Sequence, residues 1–278
     1  MITRACISIN NRCNLNCKYC HFHEKNESIS NSEMDVFQIL DNIRQHIERN
    51  AIRSFKIGFV GNGEPLLDFD KLCDYIDYVA DLLESGMLSI YTITNGILLN
   101  RTMVEYLSAN KINVGFSIDG PKAIHDKWRC GSYDMVIRNI ELYREIVGTY
   151  PSMNCTVGRD VLDHADETIK FFKAFGSRIT FSRMIGKYSI PLSEFNTFLD
   201  KASKTLNVRR GGYDCTMYGG LCGAGMNNIF YANGKIYICG NCIDIYTPFA
   251  SNTPLDAVKF NISDFDRRCC YKESVLKQ

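Results

Sequence analysis

Apolar residues recur along this chain in two alternating rhythms. Short runs rich in β-branched and aromatic residues read as strands: Ala5–Ile9, Phe55–Val60, Leu88–Thr94, Ile112–Ile118, Asn154–Val157 and Ile179–Ser182. Between them, apolar residues fall at helical spacing. Met34, Phe37, Leu40, Ile43 and Ile47 predict a helix over Glu33–Arg49 with Ser32 as its N-cap, and further helices are expected over Phe69–Leu83, Arg101–Ala109, Tyr133–Val147 and around Ala165–Phe175. Strand–helix alternation with short loops implies parallel strands joined by right-handed crossovers. Six such strands predict an α/β fold, a partial (β/α)6 TIM-like barrel over residues 1–187, with its chemistry at the C-terminal ends of the strands.

After residue 187 the rhythm changes, and residues 188–278 are expected to form a small cysteine-rich extension. Leu192–Leu206 reads as a helix starting near Pro191, and Arg209-Arg210-Gly211-Gly212 as a loop. Asn228–Cys239 reads as a β-hairpin, because Asn233-Gly234 sits between two β-rich runs.

Charge and composition narrow the partners. The formal net charge is +1, so nothing electrostatic favours nucleic acid or a membrane surface. No run of 18 apolar residues occurs, and the first residues lack the apolar stretch of a signal peptide. Thirteen cysteines without an export signal point to thiols and metal, not disulfides, and to a cytoplasmic, reduced setting.

Three of those cysteines lie close together. Cys13, Cys17 and Cys20 have the spacing C-x3-C-x2-C, a pattern expected by chance about 0.03 times in a chain of this cysteine content. Three thiolates can hold three irons of a [4Fe–4S] cluster and leave the fourth iron open for chemistry. A structural zinc is the alternative, with His21 or His23 as fourth ligand. Gly61-Asn62-Gly63-Glu64-Pro65, Thr94-Asn95-Gly96 and Ser117–Arg129 follow the second, third and fourth strands, so all four motifs are expected at one rim.

With these motifs the chain resembles the radical S-adenosylmethionine (SAM) superfamily over about residues 3 to 185. The resemblance implies that Cys13, Cys17 and Cys20 are the catalytic cluster ligands, and that the open iron binds SAM, whose cleavage yields a 5′-deoxyadenosyl radical. It places Tyr19 beside the adenine and makes Gly63, Glu64, Pro65, Asn95, Ser117, Asp119 and Arg129 cofactor-binding residues. Arg129 is suited to pair with a carboxylate bidentately. Asn62 stands where the family motif has its first glycine. Asp119 and His125 read equally well as a turn cap and a satisfied loop histidine.

The segment Ser117–Arg129 is similar to that of the SPASM group, and the C-terminal cysteines to its SPASM or shortened twitch extension. Cys215, Cys222 and Cys239, with Cys242 or Cys269 as fourth ligand, would hold one auxiliary [4Fe–4S] cluster, zinc again being the alternative. Cys270 is left over as a hydrogen-donor candidate. The isolated Cys6, Cys73, Cys130 and Cys155 read as small buried hydrophobes. The resemblance implies a radical SAM oxidoreductase that modifies a peptide by crosslinking, epimerisation or side-chain oxidation. An external flavodoxin or ferredoxin would donate electrons. The start of the barrel by residue 5 weakens the peptide reading without removing it, because a separate protein can supply leader recognition. Two other readings stay open: a dehydrogenase of a small polar metabolite such as an aminocyclitol, and a zinc- or cluster-bearing interaction protein. Sulfatase-maturing members carry an Asp after the cysteine equivalent to Cys239. Here that residue is Gly240, which argues against formylglycine formation.

Overall fold

The computed structural model describes residues 1–20, 34–210, 223–240 and 247–260. Its centre is one sheet, in which β1 (Arg4–Ile7), β2 (Phe55–Phe59), β3 (Leu88–Thr94), β4 (Asn113–Ser117), β5 (Ser152–Val157) and β6 (Ile179–Arg183) run side by side and parallel. Helices α1 (Val36–Arg49), α2 (Phe69–Tyr78), α3 (Ala80–Glu84), α4 (Arg101–Ala109), α5 (Lys122–Trp128), α6 (Tyr133–Val147), α7 (Arg159–Asp163), α8 (Ala165–Lys173) and α9 (Leu192–Ala202) occupy the connections. Alternate residues of the strands are fully buried, as in the pattern of β3, while their neighbours line the interior. This is the partial barrel that the alternation predicts.

The sheet is wider than six strands. Val208–Arg210, whose last two residues were expected in the loop Arg209–Gly212, is a seventh strand, β7, parallel to β6. The C-terminal hairpin, β8 (Asn228–Ala232) and β9 (Lys235–Tyr237), does not stand apart. β8 pairs in parallel with β1, Cys6 opposite Phe230, and β10 (Phe249–Ala250) completes the edge beyond β9. The order is therefore β10-β9-β8-β1-β2-β3-β4-β5-β6-β7, with β7 and β10 at its two edges and the barrel left open. Asn233 and Gly234 form the hairpin turn with φ of 50° and 70°, the left-handed conformation that this dipeptide favours.

Several elements differ from expectation for local reasons. α1 begins at Val36, where the Asp35 carboxylate accepts from the Gln38 amide at 3.1 Å; Ser32 lies outside the described residues. Its buried face carries Val36, Ile39, Leu40, Ile43, His46 and Ile47, whereas Phe37 is exposed and packs edge-on against Tyr75 and Tyr78. The expected helix over Phe69–Leu83 is broken at Val79, which puts Val79 and Leu82 both into the core. The turn Leu255–Ala257, after β10, is fastened to α1. Buried His46 contacts Asp256 Oδ1 at 2.8 Å and the Ile2 carbonyl at 2.9 Å, and Asn50 and Arg49 also hold Asp256.

Candidate active site at the strand ends

The loop after β1 carries Cys13, Cys17 and Cys20, all three as free thiols facing one cavity of about 510 Å3. The other walls come from the loops after β2, β3 and β4 and from the hairpin. Gly63, Glu64, Asn95, Ser117, Tyr19 and Arg129 all line it, as do Phe230 and Cys239. Asp119 and Pro65 lie behind the wall. Cys215, Cys222, Cys242, Cys269 and Cys270 lie outside the described residues.

Glu64 organises three of these loops. It is buried, its Oε1 accepts from Thr94 Oγ1 at 2.7 Å and from the Leu66 amide at 3.1 Å, and its Oε2 accepts from the Asn95 amide at 2.7 Å. Burial raises its pKa, and those donors oppose the shift. Asn95 in turn donates from Nδ2 to Asn14 Oδ1 at 2.7 Å and approaches Cys13 Sγ at 3.8 Å. Gly63 is required by close approach: a Cβ there would run into Asn10 Oδ1 and the Arg12 carbonyl.

Asp119 is fully buried and serves a second group. It accepts from Tyr19 OH at 2.6 Å, from Arg129 Nε at 2.7 Å and from the Thr156 amide at 2.9 Å. Arg129 also stands over the Tyr19 ring at 5.4 Å. Two donors of Arg129 are thus held within the chain, and its Nη1 makes no hydrogen bond among the described residues. His125 is on α5 and not in a loop. It is fully buried, accepts from the Asp119 amide at Nδ1 and contacts Ser132 Oγ at 2.9 Å. Burial pushes its pKa down to about 4, so the imidazole is neutral. Both ring nitrogens therefore have partners, on a helix where a loop was expected.

Sequence reasoning missed Cys6 and Tyr91. Cys6 is not a buried hydrophobe. It lines the cavity, and its Sγ lies 3.3 Å from Tyr91 OH, which also accepts from Arg4 Nη2 at 3.1 Å. Tyr91 reaches that position because Gly58, on the strand between, has no side chain to block the ring. Cys130 is exposed and Cys73 half-buried; only Cys155 of the isolated four is a buried hydrophobe. The available signal was strand alternation, which puts Cys6 on the interior face with Arg4 and Ser8.

The thiols suit a multi-iron group. Burial pushes Cys17 up to about 12 against the opposing charge of Arg129, and raises Cys13 as well, so these two thiols are protonated until a metal displaces the protons. A [4Fe–4S] cluster gives each thiolate a different iron, and a cavity of this volume is of the size that holds a small cofactor.

The fold and the site define an open parallel α/β barrel with three thiols on the loop after its first strand. The sequence profile of the Radical SAM superfamily matches residues 7–182, and the chain belongs to that superfamily. It is 28% identical over 207 residues to a cysteine-type anaerobic sulfatase-maturating enzyme of Clostridium novyi, covering 68% of this chain and 55% of that protein. It is 28% identical over 182 residues to the radical SAM cyclopropyl synthase TigE of Paramaledivibacter caminithermalis, covering 59% of this chain and 37% of that one. An uncharacterized protein of Methanocaldococcus jannaschii is 29% identical over 254 residues, covering 84% and 83%. The chain thus spans about half the length of the sulfatase-maturating enzyme that it matches. The fold is that of solved structures of anSMEcpe with bound AdoMet, at TM-score 0.74, 21% identity and coverage of 92% and 77%. It is also that of Streptococcus suis SuiB bound to S-adenosylmethionine, at 0.69, 17%, 94% and 64%.

Proposed function

We propose that this chain is a peptide-modifying radical SAM enzyme of the SPASM/twitch group, with a barrel over residues 1–187 and an auxiliary-cluster extension over 188–278. One observation carries the reading: Cys13, Cys17 and Cys20 face the same cavity as Gly63, Asn95, Ser117 and Arg129. The cluster and SAM together supply a hydrogen-abstracting radical when bound. The chain's own residues hold and shield it. Cys13, Cys17 and Cys20 are the cluster ligands. Glu64 locks the loops after β2 and β3, and Asp119 holds Arg129 so that its Nη1 is presented to the SAM carboxylate, with Ser117 beside it. Ile93, Phe230 and Ile238 form apolar walls that exclude water from the reacting region.

A peptide substrate is favoured because the relatives include a sulfatase-maturating enzyme and a cyclopropyl synthase. Formylglycine formation is not the reaction we propose. Gly240 packs against the Phe230 ring, where a Cβ would lie 3.1 Å from the nearest ring carbon, so the position is tight for an aspartate base. Cys239 lines the cavity, which supports its reading as an auxiliary ligand close to the substrate. An external flavodoxin- or ferredoxin-type donor and a separate leader-binding protein complete the proposal. Among the described residues no helix is long and apolar enough to cross a membrane; we propose a cytoplasmic setting.

The test is anaerobic reconstitution with SAM, a reductant and short peptides encoded beside the gene. Wild type is expected to form 5′-deoxyadenosine and to change one peptide by −2 Da for a crosslink or oxidation, or by deuterium uptake without other mass change for an epimerisation. Reductive SAM cleavage persisting in a Cys13/Cys17/Cys20→Ala variant would remove the central assignment.

A further inference from the structure

Three side-chain amides join the loop after β2 to the C-terminal hairpin. Asn62 Nδ2 donates to Asn11 Oδ1 at 3.1 Å, and Asn11 Nδ2 donates to Asn233 Oδ1 at 2.5 Å. Asn62 and Asn233 are only 5% and 8% exposed, so the chain of amides is withdrawn from water. Its three members belong to distant parts of the sequence. Asn62 lies on the cavity wall with the three thiols. Asn11 lies in the loop between β1 and Cys13. Asn233 is in the turn between β8 and β9, the hairpin that leads to Cys239.

The chain of amides is one partner short at each end. Asn62 Oδ1 and Asn233 Nδ2 are buried and make no hydrogen bond. Turning all three amides over would keep both internal bonds and would still leave one group open at each end. A buried amide group without a partner is costly, and the cost is highest where low polarity strengthens every hydrogen bond. Asn62 itself lines the cavity, so a ligand there meets a side chain whose place the other two amides fix. The α-amino acid end of SAM would be such a ligand.

We infer that Asn11 and Asn233 are positioning residues that orient Asn62, so that the hairpin turn sets how tightly the cavity holds SAM. The inference rests on the reading that SAM binds in this cavity. It makes the C-terminal hairpin a determinant of cofactor affinity in the barrel, although the hairpin turn is remote from the cysteine loop in sequence. The coupling is reciprocal: bound SAM stabilises the hairpin against β1 by the same factor.

The experiment is equilibrium binding of SAM to anaerobically reconstituted protein, with iron content and melting temperature measured in parallel. Asn233 has a φ of 50°, so Asn233→Gly keeps the turn and removes only the amide. It is expected to weaken SAM binding about five- to tenfold at unchanged iron content. Asn233→Asp keeps the acceptor for Asn11 and is expected to bind within about twofold of wild type. Asn62→Gly is expected to weaken binding as well, and adding Asn233→Gly to it should cost nothing more, because the two act through one chain. Equal SAM affinity in wild type and Asn233→Gly overturns the relay alone, as do additive losses in the double variant. Wild-type protein that loads iron and binds no SAM overturns the reading of the cavity and the relay with it.

Discussion

Asp119 shows how one residue type acquires a role that its sequence neighbours do not reveal. Read locally, an Asp before Gly-Pro is a turn cap. In the fold it is fully buried, and its two oxygens neutralise Arg129 and hold Tyr19 and the Thr156 amide. Burial of Arg129 works against its charge, but the adjacent carboxylate dominates and keeps the pKa well above the usual value. Asp119→Ala leaves a guanidinium buried without a partner and is expected to destabilise the protein by about 3–5 kcal/mol. Urea unfolding under anaerobic conditions measures this, and a loss below about 1 kcal/mol would show that the pair is not structural. His125 gives a pH dependence of definite sign. Its folded pKa is about 4 against 6.5 unfolded, so between these values the unfolded chain binds the extra proton and stability rises with pH. The contribution is complete above pH 6.5 and is lost as pH falls toward 4, on the order of 3 kcal/mol in all. Unfolding midpoints at pH 5 and pH 7 should therefore differ more in wild type than in His125→Gln.

At the scale of elements, boundaries were legible where the chain itself ends the element. α4 runs over the predicted residues because Asn100 caps it, accepting from the Met103 amide at 3.0 Å. α6 stops at Val147 because Gly148 takes a φ of 83°. α1 shows the opposite case. Periodicity found the helix, but the cap expected was Ser32, and the carboxylate that caps the first turn is that of Asp35. Asp35→Ala is expected to cost about 1 kcal/mol by loss of that cap, measured by thermal or urea unfolding. Val79 and β7 were illegible for a related reason. A short strand at a sheet edge and a helix break over a core both depend on what lies against them, and neither leaves a local signal.

For the whole molecule, the joining of β8 to β1 is the decisive event. It brings Phe230 and Cys239 to the cavity that the cysteine loop opens, so barrel and extension share one wall. If Cys239 and the other C-terminal cysteines hold a second cluster, anaerobically reconstituted protein should contain about 8 Fe per chain. The Cys13/Cys17/Cys20→Ala variant should then keep about 4. Iron analysis checks both, and stoichiometric zinc in that variant would overturn the second cluster without bearing on the assignment of the first.

Periodicity, turn chemistry and cysteine spacing act within a few residues of chain, and they determined the parallel strand–helix alternation, the hairpin at Asn233-Gly234 and the three-thiol loop before any contact was known. They also put the four motif loops at one rim, because a parallel strand delivers its following loop to a single end of the sheet. What only the tertiary structure decided are the partners of buried polar groups: Glu64 with Thr94 and Asn95, Asp119 with Tyr19 and Arg129, Cys6 with Tyr91, Asn11 with Asn62 and Asn233. A buried polar atom has to find its hydrogen bond wherever the packing brings one within reach, and that distance in space has no counterpart in the spacing along the chain.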